Sequence, residues 1–368
     1  MDDISFRREG TIQKTVIEPV VQFDASVERL GLVMSPDGDP AEIEGVLNPA
    51  ATRGRDGALL LYPRAVARGN ISRVGRVYVH ERRGDGFHVR RDGFALDPEA
   101  PYEVRPHPGY GCEDARVTFV PMLDAYVMMY TGYGPAGPRL AIALSDDGIT
   151  WQRLGLMRFT QPGMSQGDDK DGAFFPEPVI SPRGIPSFAF YHRPMLHLSA
   201  VDGRAAIPMI ERMPFADRES SRIGYVPLEP ALADRNRLLD VEESVLVLSP
   251  DEQWGSIKIG AGTPPVRIAE GWMSLYHAVD LLDNNGVKPK FRYSAGIVIH
   301  DYERPDRVLY RSPKPVLAPE SELERTGIVD NVVFPTGIDE RADLGPRVFD
   351  VYYGMADYTI GAARLTLH

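Results

Sequence analysis

The chain has 368 residues, with 41 Lys and Arg against 52 Asp and Glu, for a formal net charge of −11. That balance excludes a basic nucleic-acid footprint and a polybasic membrane patch. A hydrophobic content of 43 % with 25 % charged residues excludes a disordered chain, and the single cysteine, Cys112, excludes an intrachain disulfide or a cysteine-based metal cluster.

The first residues, MDDISFRREGTIQK, carry no apolar secretion core, and no apolar run approaches membrane-spanning length. A soluble, cytoplasmic protein with no membrane and no nucleic-acid partner is therefore expected. Gly and Pro make up about 18 % of the chain, against roughly 12 % in average usage, and they are spread from end to end, which marks frequent tight turns.

Short apolar stretches lie between those turns. In chain order they are Ala58–Tyr62, Val74–His80, Arg116–Pro121, Ala125–Thr131, Arg139–Ser145, Ser187–Tyr191, Trp272–Val279, Tyr293–His300 and Val348–Tyr353. Several alternate. Val117 and Phe119 share one face while Arg116 and Thr118 share the other, as a half-buried strand requires. Asp147-Gly148 and Asp85-Gly86 invite tight hairpin turns. Helical periodicity is confined to Glu320–Thr326, one or two turns that Gly327 could close as a C-cap.

The expected fold class is therefore all-β. A chain of this length can manage its sheet edges as a propeller or as a large sandwich. Five blades of four strands would take about seventy residues each, above the roughly 40–45 of a WD40 unit. No composition break marks a linker, so one domain is expected over residues 1–368, with about the first 40 as an extension packed on it. The stretch Pro214–Glu242, rich in Arg, Asp and Glu, reads as a rim loop, a subunit contact or a solvated excursion.

Four stretches could carry chemistry. In Gly109-Tyr-Gly-Cys-Glu113-Asp114-Ala-Arg116 two carboxylates and an arginine enter a strand after a glycine-rich turn. Strand alternation sends Glu113 and Asp114 to opposite faces and puts Asp114 and Arg116 on the same one. A strand-entry turn with a solvated ion pair explains the same residues. Lys170 in Gly167-Asp-Asp-Lys-Asp-Gly172 and His192 in Tyr191-His-Arg-Pro194 could bind an oxyanion, and equally could belong to a polar loop and a strand end. The stretch Trp254–Pro265 followed by Gly271–His277 has glycines that suit either close backbone approach or turns. No phosphate-cradling loop, dinucleotide fingerprint, HExxH or nucleophile elbow occurs. Carboxylates with aromatic platforms suit carbohydrate chemistry.

The order of these segments is more specific than any one of them. Asn48-Pro, Tyr62-Pro-Arg64, Ser72-Arg-Val-Gly75, Gly111-Cys-Glu-Asp-Ala-Arg116, Ser145-Asp-Asp, Asp168-Asp-Lys-Asp171, His192-Arg-Pro194, Lys258-Ile-Gly260, Tyr276-His277, Pro319-Glu320, Asn331-Val-Val-Phe-Pro335 and Tyr352–Asp357 follow in turn. Together, over about residues 45–360, they resemble glycoside hydrolase family 130, the β-mannoside phosphorylases and related β-mannosidases. The resemblance implies a five-bladed β-propeller with a central active site and inverting cleavage of a β-mannoside by inorganic phosphate, giving α-mannose 1-phosphate.

By that resemblance Asp114 is the catalytic acid, acting through a sugar hydroxyl. Asn48, Arg64 and Asp357 hold the mannosyl ring, with Glu113 and Arg116 also substrate-binding, and Ser145, Lys170, His192 and Tyr276 form the phosphate set. Two positions depart from the family pattern: Ala115 stands where proline is usual, and Asp168 where many phosphorylases have asparagine.

The scheme takes no metal and no cofactor beyond phosphate as co-substrate. Its partners are small molecules, with room for a homo-oligomer. A water-using β-mannosidase on the same fold, with Glu177 or Glu320 as base, and a non-catalytic glycan-binding propeller are the alternatives.

Overall fold

A computed structural model describes residues 23–82, 86–160, 167–196, 203–284 and 288–368. Strands dominate it, as expected. The described residues contain three short α-helices, Gly203–Arg212, Leu228–Ala233 and Glu322–Arg325, and none is long and apolar enough to cross a membrane.

Most strands form five antiparallel meanders of four, the third and fourth each carrying one short extra strand, Val179–Ile180 and Val266–Ile268. The first is Gly45–Arg53, Leu59–Ala67, Ile71–Arg82 and Gly86–Leu96. The second is Tyr110–Val120, Ala125–Gly134, Gly137–Ser145 and Gln152–Leu156. A two-residue parallel bridge, Ile71 to Tyr110 and Ser72 to Gly111, joins these two into one eight-stranded sheet. The third is Asp169–Phe174, Pro186–Pro194, Ser221–Pro227 and Glu243–Leu248, and the fourth is Lys258–Ala261, Gly271–Asp283, Lys290–His300 and Val308–Arg311. The fifth takes Val333–Glu340, Val348–Met355 and Thr359–Leu367 from the end of the chain and Ala25–Met34 from its beginning, the latter pairing antiparallel with Thr359–Leu367.

Five apolar clusters lie between these units in cyclic order. Cys112, Val117 and Met128 of the second meander pack with Leu60, Tyr62 and Val74 of the first. Phe174, Phe188 and Phe190 of the third pack on Val127, Met129 and Ile142 of the second. Trp272 and Tyr276 of the fourth meet Tyr191 and Tyr225 of the third, and Val333 and Val351 of the fifth meet Leu275 and Ile297 of the fourth. Tyr352 and Ile360 of the fifth then pack against Val46, Leu61 and Val77 of the first. Gly45–Ala51 and Gly111–Thr118 are buried on both faces, so these strands read as continuous rather than alternating runs.

Several local expectations are revised. Ser221–Pro227, inside the stretch read as a surface excursion, is an interior strand of the third meander, paired on both sides. The helix near residue 320 is one turn, Glu322–Arg325, and Gly327 is no left-handed cap. Gly327 packs directly on the chain at Ala356: a side chain there would sit 2.3 Å from the Ala356 carbonyl oxygen. The Asp147-Gly148 turn forms, with Asp147 Oδ1 accepting from the Ile149 and Thr150 amides. Asp85 and residues 1–22 of the expected extension lie outside the described residues.

The first strand is tied to the last meander through one buried acid. Glu324, fully buried, accepts from Arg29 Nε (2.9 Å), from the Tyr353 hydroxyl (2.9 Å) and from the amides of Glu320 and Ser321. Removing Arg29 leaves that carboxylate with neutral donors only, at a cost of about 2–3 kcal/mol. Arg29→Ala is expected to lower the urea midpoint accordingly, whereas Arg90→Ala, an exposed pair with Asp92, shifts it little.

Candidate functional site

Three of the first strands lose register at an Asn or Asp with left-handed backbone: Asn48 (φ 44°), Asp114 (φ 49°) and Asp171 (φ 62°). The ladders skip between Leu47 and Ala50, Glu113 and Arg116, and Lys170 and Ala173. These two residue types adopt the left-handed region at the smallest cost after glycine. Each bulge redirects a side chain that strict alternation would send elsewhere.

The Asp114 bulge overturns the expectation that Glu113 and Asp114 face apart. Arg64 reaches both: Nη2 donates to Glu113 Oε1 at 2.8 Å and Nη1 lies 3.5 Å from Asp114 Oδ1. Asn48 Nδ2 donates to the same Asp114 oxygen at 2.9 Å, and Lys170 Nζ donates to Glu113 Oε2 at 2.9 Å. Arg64 is steadied by Ser72 Oγ at 2.9 Å. Asn48, Arg64, Glu113, Asp114 and Lys170, drawn from three meanders, thus form one cluster.

Asp357, also left-handed at φ 50°, belongs to the same electrostatic neighbourhood. Burial raises its carboxyl to about 6; Arg64 opposes the rise and the charge of Asp114 adds to it. Burial acts on Asp114 in the same sense, but Arg64, Lys170 and Arg116 overcome it and hold that carboxyl below the usual range. Two neighbouring acids are thereby pushed apart in proton affinity, the pattern of sites that assign different roles to paired carboxylates.

Arg116 does not pair with the Asp114 carboxylate. Buried to 1 % exposure, it donates to the backbone oxygens of Asp114, Ala261 and Gly262, each at 3.2 Å, and lies 3.6 Å from Asp171 Oδ1. Asp171 in turn accepts from Arg193 Nε at 2.6 Å and sits 3.6 Å from His277 Nε2. His277 donates from Nδ1 to the Ala261 carbonyl at 3.1 Å, and its Nε2 has no hydrogen-bond partner among the described residues. Burial depresses this imidazole to about 3, so it is neutral at physiological pH.

Three of the expected phosphate ligands have their polar atoms engaged by other protein groups. His192, fully buried, has Nδ1 on Asp169 Oδ2 (2.7 Å) and Nε2 on Ser244 Oγ (2.8 Å), which uses both ring nitrogens inside the sheet. Ser145 Oγ donates to Asp147 and accepts the Gly148 amide, so it caps a hairpin. Tyr276 stacks on Trp254 at 5.3 Å in the apolar layer between the third and fourth meanders, with its hydroxyl on Arg311. Asp168 ion-pairs with Arg139, which neutralises the carboxylate that stands at the family's asparagine.

Asp171, Arg193, Lys258 and His277 carry no role in the sequence reading. The signal that marks them is Gly260: a Cβ there would lie 2.0 Å from Asp171 Oδ2 and 2.4 Å from His277 Cε1. That glycine lets the fourth meander's first strand approach the third meander's bulge. Among the described residues, no group of three His, Cys, Asp or Glu side chains could hold a metal ion.

An all-β scaffold that gathers carboxylates, an amide and cations on bulged first strands suits a carbohydrate-active site. The chain matches the family model for glycoside hydrolase family 130, described as beta-1,4-mannooligosaccharide phosphorylase, over residues 31–204 and 234–368. It belongs to that family. It is 30 % identical over 300 residues to a 1,2-beta-oligomannan phosphorylase of Thermoanaerobacter sp. (strain X514), covering 81 % of this chain and 79 % of that one. A beta-1,4-mannooligosaccharide phosphorylase of Ruminococcus albus is 40 % identical over 121 residues, 33 % of this chain and 34 % of that one. The solved beta-1,2-mannobiose phosphorylase of Listeria innocua, in complex with beta-1,2-mannobiose, shares the fold at a TM-score of 0.66 and 19 % identity. The match covers 92 % of this chain and 96 % of that one.

The Asp357 shift has a defined sign. Because its folded value is raised from the ordinary carboxylate range to about 6, its contribution to stability is full below about pH 4 and lost as pH rises through 6. Asp357→Asn is expected to remove that slope: melting temperatures measured from pH 4 to 7 should fall less with pH in the variant than in the parent.

Proposed function

We propose that this chain is an inverting β-mannoside phosphorylase, transferring a mannosyl group to inorganic phosphate and releasing α-mannose 1-phosphate. We also read its five meanders as the blades of a β-propeller. The cyclic order of the apolar clusters, with the last unit packed on the first, supports the propeller, and the inner strands then surround the candidate site.

The observation that carries the functional reading is Asp114 among Arg64, Lys170 and Arg116, with Asn48 on its carboxylate. Inversion needs an acid on the leaving-group side and a nucleophile on the opposite face of the ring. Phosphate is already anionic, so the protein has to hold and orient it rather than deprotonate it. Lys170 supplies one cation. Lys258, which lies over the Tyr293 ring at 5.4 Å and acts electrostatically on both Asp357 and His277, supplies a second. His277 Nε2 is a further polar edge of the same region.

Binding and chemistry are then linked. An arriving phosphate dianion offsets the cations that depress Asp114, and so raises the affinity of that carboxyl for the proton it must deliver through a sugar hydroxyl. The two carboxylates weighed as hydrolytic bases sit elsewhere. Glu177 pairs with Arg267 and Glu320 with Arg29, and both carboxylates are open to solvent. The scheme needs no cofactor beyond phosphate. The names of the relatives support a β-mannoside as donor.

The test is incubation with β-1,2- and β-1,4-mannobiose, with and without phosphate, assaying mannose 1-phosphate and free mannose. Phosphate-dependent mannose 1-phosphate is expected, reduced about 10²–10⁴-fold by Asp114→Asn. Lys258→Ala and Lys170→Ala should each raise the phosphate KM about tenfold, the loss of one charge-assisted contact. Free mannose released at the same rate without phosphate would make the protein a hydrolase.

A further inference from the structure

The Asp171 network does not end at the inner strands. Arg193, 4 % exposed, donates from Nε to Asp171 and from Nη1 to Glu219 Oε2. Glu219 Oε1 also accepts the Leu196 amide at 3.3 Å, and its backbone oxygen accepts the Ile259 amide at 3.0 Å, one residue beyond Lys258. Neighbouring Arg218 donates to the Ser256 carbonyl. Residues 218–219 therefore stitch the third meander to the start of the fourth. The family match stops at residue 204 and resumes at 234, so Glu219 stands outside it.

From the edge inward the order of groups is Glu219, Arg193, Asp171, Arg116, and then the backbone oxygen of Asp114. Signs alternate along the chain and the four side chains balance to zero. Asp171, Arg193 and Arg116 are almost completely buried, where an uncompensated charge is costly. Without Glu219, Arg193 would face a single carboxylate already shared with Arg116. Its strongest alternative is to leave Asp171 for water, which would loosen Arg116, the group that Asp171 aligns beside Asp114.

Resting on the phosphorylase reading above, we infer that Glu219 is a positioning residue for catalysis: through Arg193 and Asp171 it fixes Arg116 against the Asp114 bulge. It touches no substrate in this scheme. Its effect falls on the placement of the acid, where a displacement of about 1 Å can cost up to 10²-fold in rate.

The test compares Glu219→Ala, Glu219→Gln and Glu219→Asp in the full chain. Each variant is assayed with mannobiose and phosphate for kcat and both KM values per folded molecule, with melting temperatures and crystal structures alongside. The expected result is a fall in kcat of about tenfold in Glu219→Ala and Glu219→Gln, a mannoside KM within twofold of the parent, and recovery of most activity in Glu219→Asp. The crystals should show the Arg193 guanidinium withdrawn from Asp171. A lower melting temperature with unchanged kcat would assign Glu219 a structural role only and overturn the inference, as would unchanged kinetics. Should the parent produce no mannose 1-phosphate, the phosphorylase reading fails on that result alone. The crystals then decide this inference: an Arg193 still seated on Asp171 in Glu219→Ala overturns it, and a displaced one upholds the coupling.

Discussion

The left-handed bulge at Asp114 is the constraint on which the rest of the site depends. In a regular strand Glu113 and Asp114 would project on opposite sides, and one arginine could not reach both. The bulge spends backbone strain to bring them together, and the neighbouring strand answers with the same device at Asn48, whose amide then lands on Asp114 Oδ1. Asp171 repeats it on the third inner strand and turns a carboxylate toward Arg116 and Arg193. Strain of this kind persists only where the surroundings over-determine it. Here the apolar layers between successive meanders do so, because they pack on both sides of the strands that carry the bulges.

Burying this many charges requires that each be answered. Glu113 is spanned by Arg64 and Lys170, Asp171 by Arg193 with Arg116 and His277 nearby, and Asp114 by Asn48 and Arg64. Asp357 is the group left with the least compensation, and its raised proton affinity follows from that. An arrangement this dense is poor material for stability, since apolar side chains of equal volume would usually do as well or better. On the proposed phosphorylase reading its use is binding: an anion whose charge completes the set, and a sugar whose hydroxyls exchange hydrogen bonds with the carboxylates.

The all-β class and most strands were legible because apolar stretches bounded by Gly, Pro, Asn and Asp report directly on pleated, half-buried segments. Asp114, Arg64 and Asn48 were legible as an ordered set of motifs. Their mutual geometry was not, because alternation assumes an unbroken strand and the chemistry here sits where the strand breaks. His192 shows the opposite failure. A histidine next to arginine at a strand end reads as an oxyanion ligand, yet Asp169 and Ser244 claim both its nitrogens, and a sequence alone does not show which neighbours lie across the sheet. Tyr276 misled in the same way: its place between Trp254 and the third meander is set by packing from residues far apart in the chain.

Gly260 shows where a better signal lay. Its missing side chain leaves room for Asp171 and His277, and it sits two residues after Lys258 on a strand of only four residues. That strand is stitched to Glu219 through the Ile259 amide, so Lys258 and the Arg193–Asp171 pair are anchored by the same short segment. If Lys258 holds phosphate as proposed, a rigid seat for it bears directly on how the anion is oriented. Lysine binds phosphate as a point charge on a flexible stem, so its contribution to orientation depends on what holds its backbone. Placing the cation on a short strand held through the Ile259 amide and the Ala261 carbonyl converts a flexible side chain into a positioned one, and under the proposed mechanism it puts the nucleophile's seat and the support of the acid on a single element of the fold.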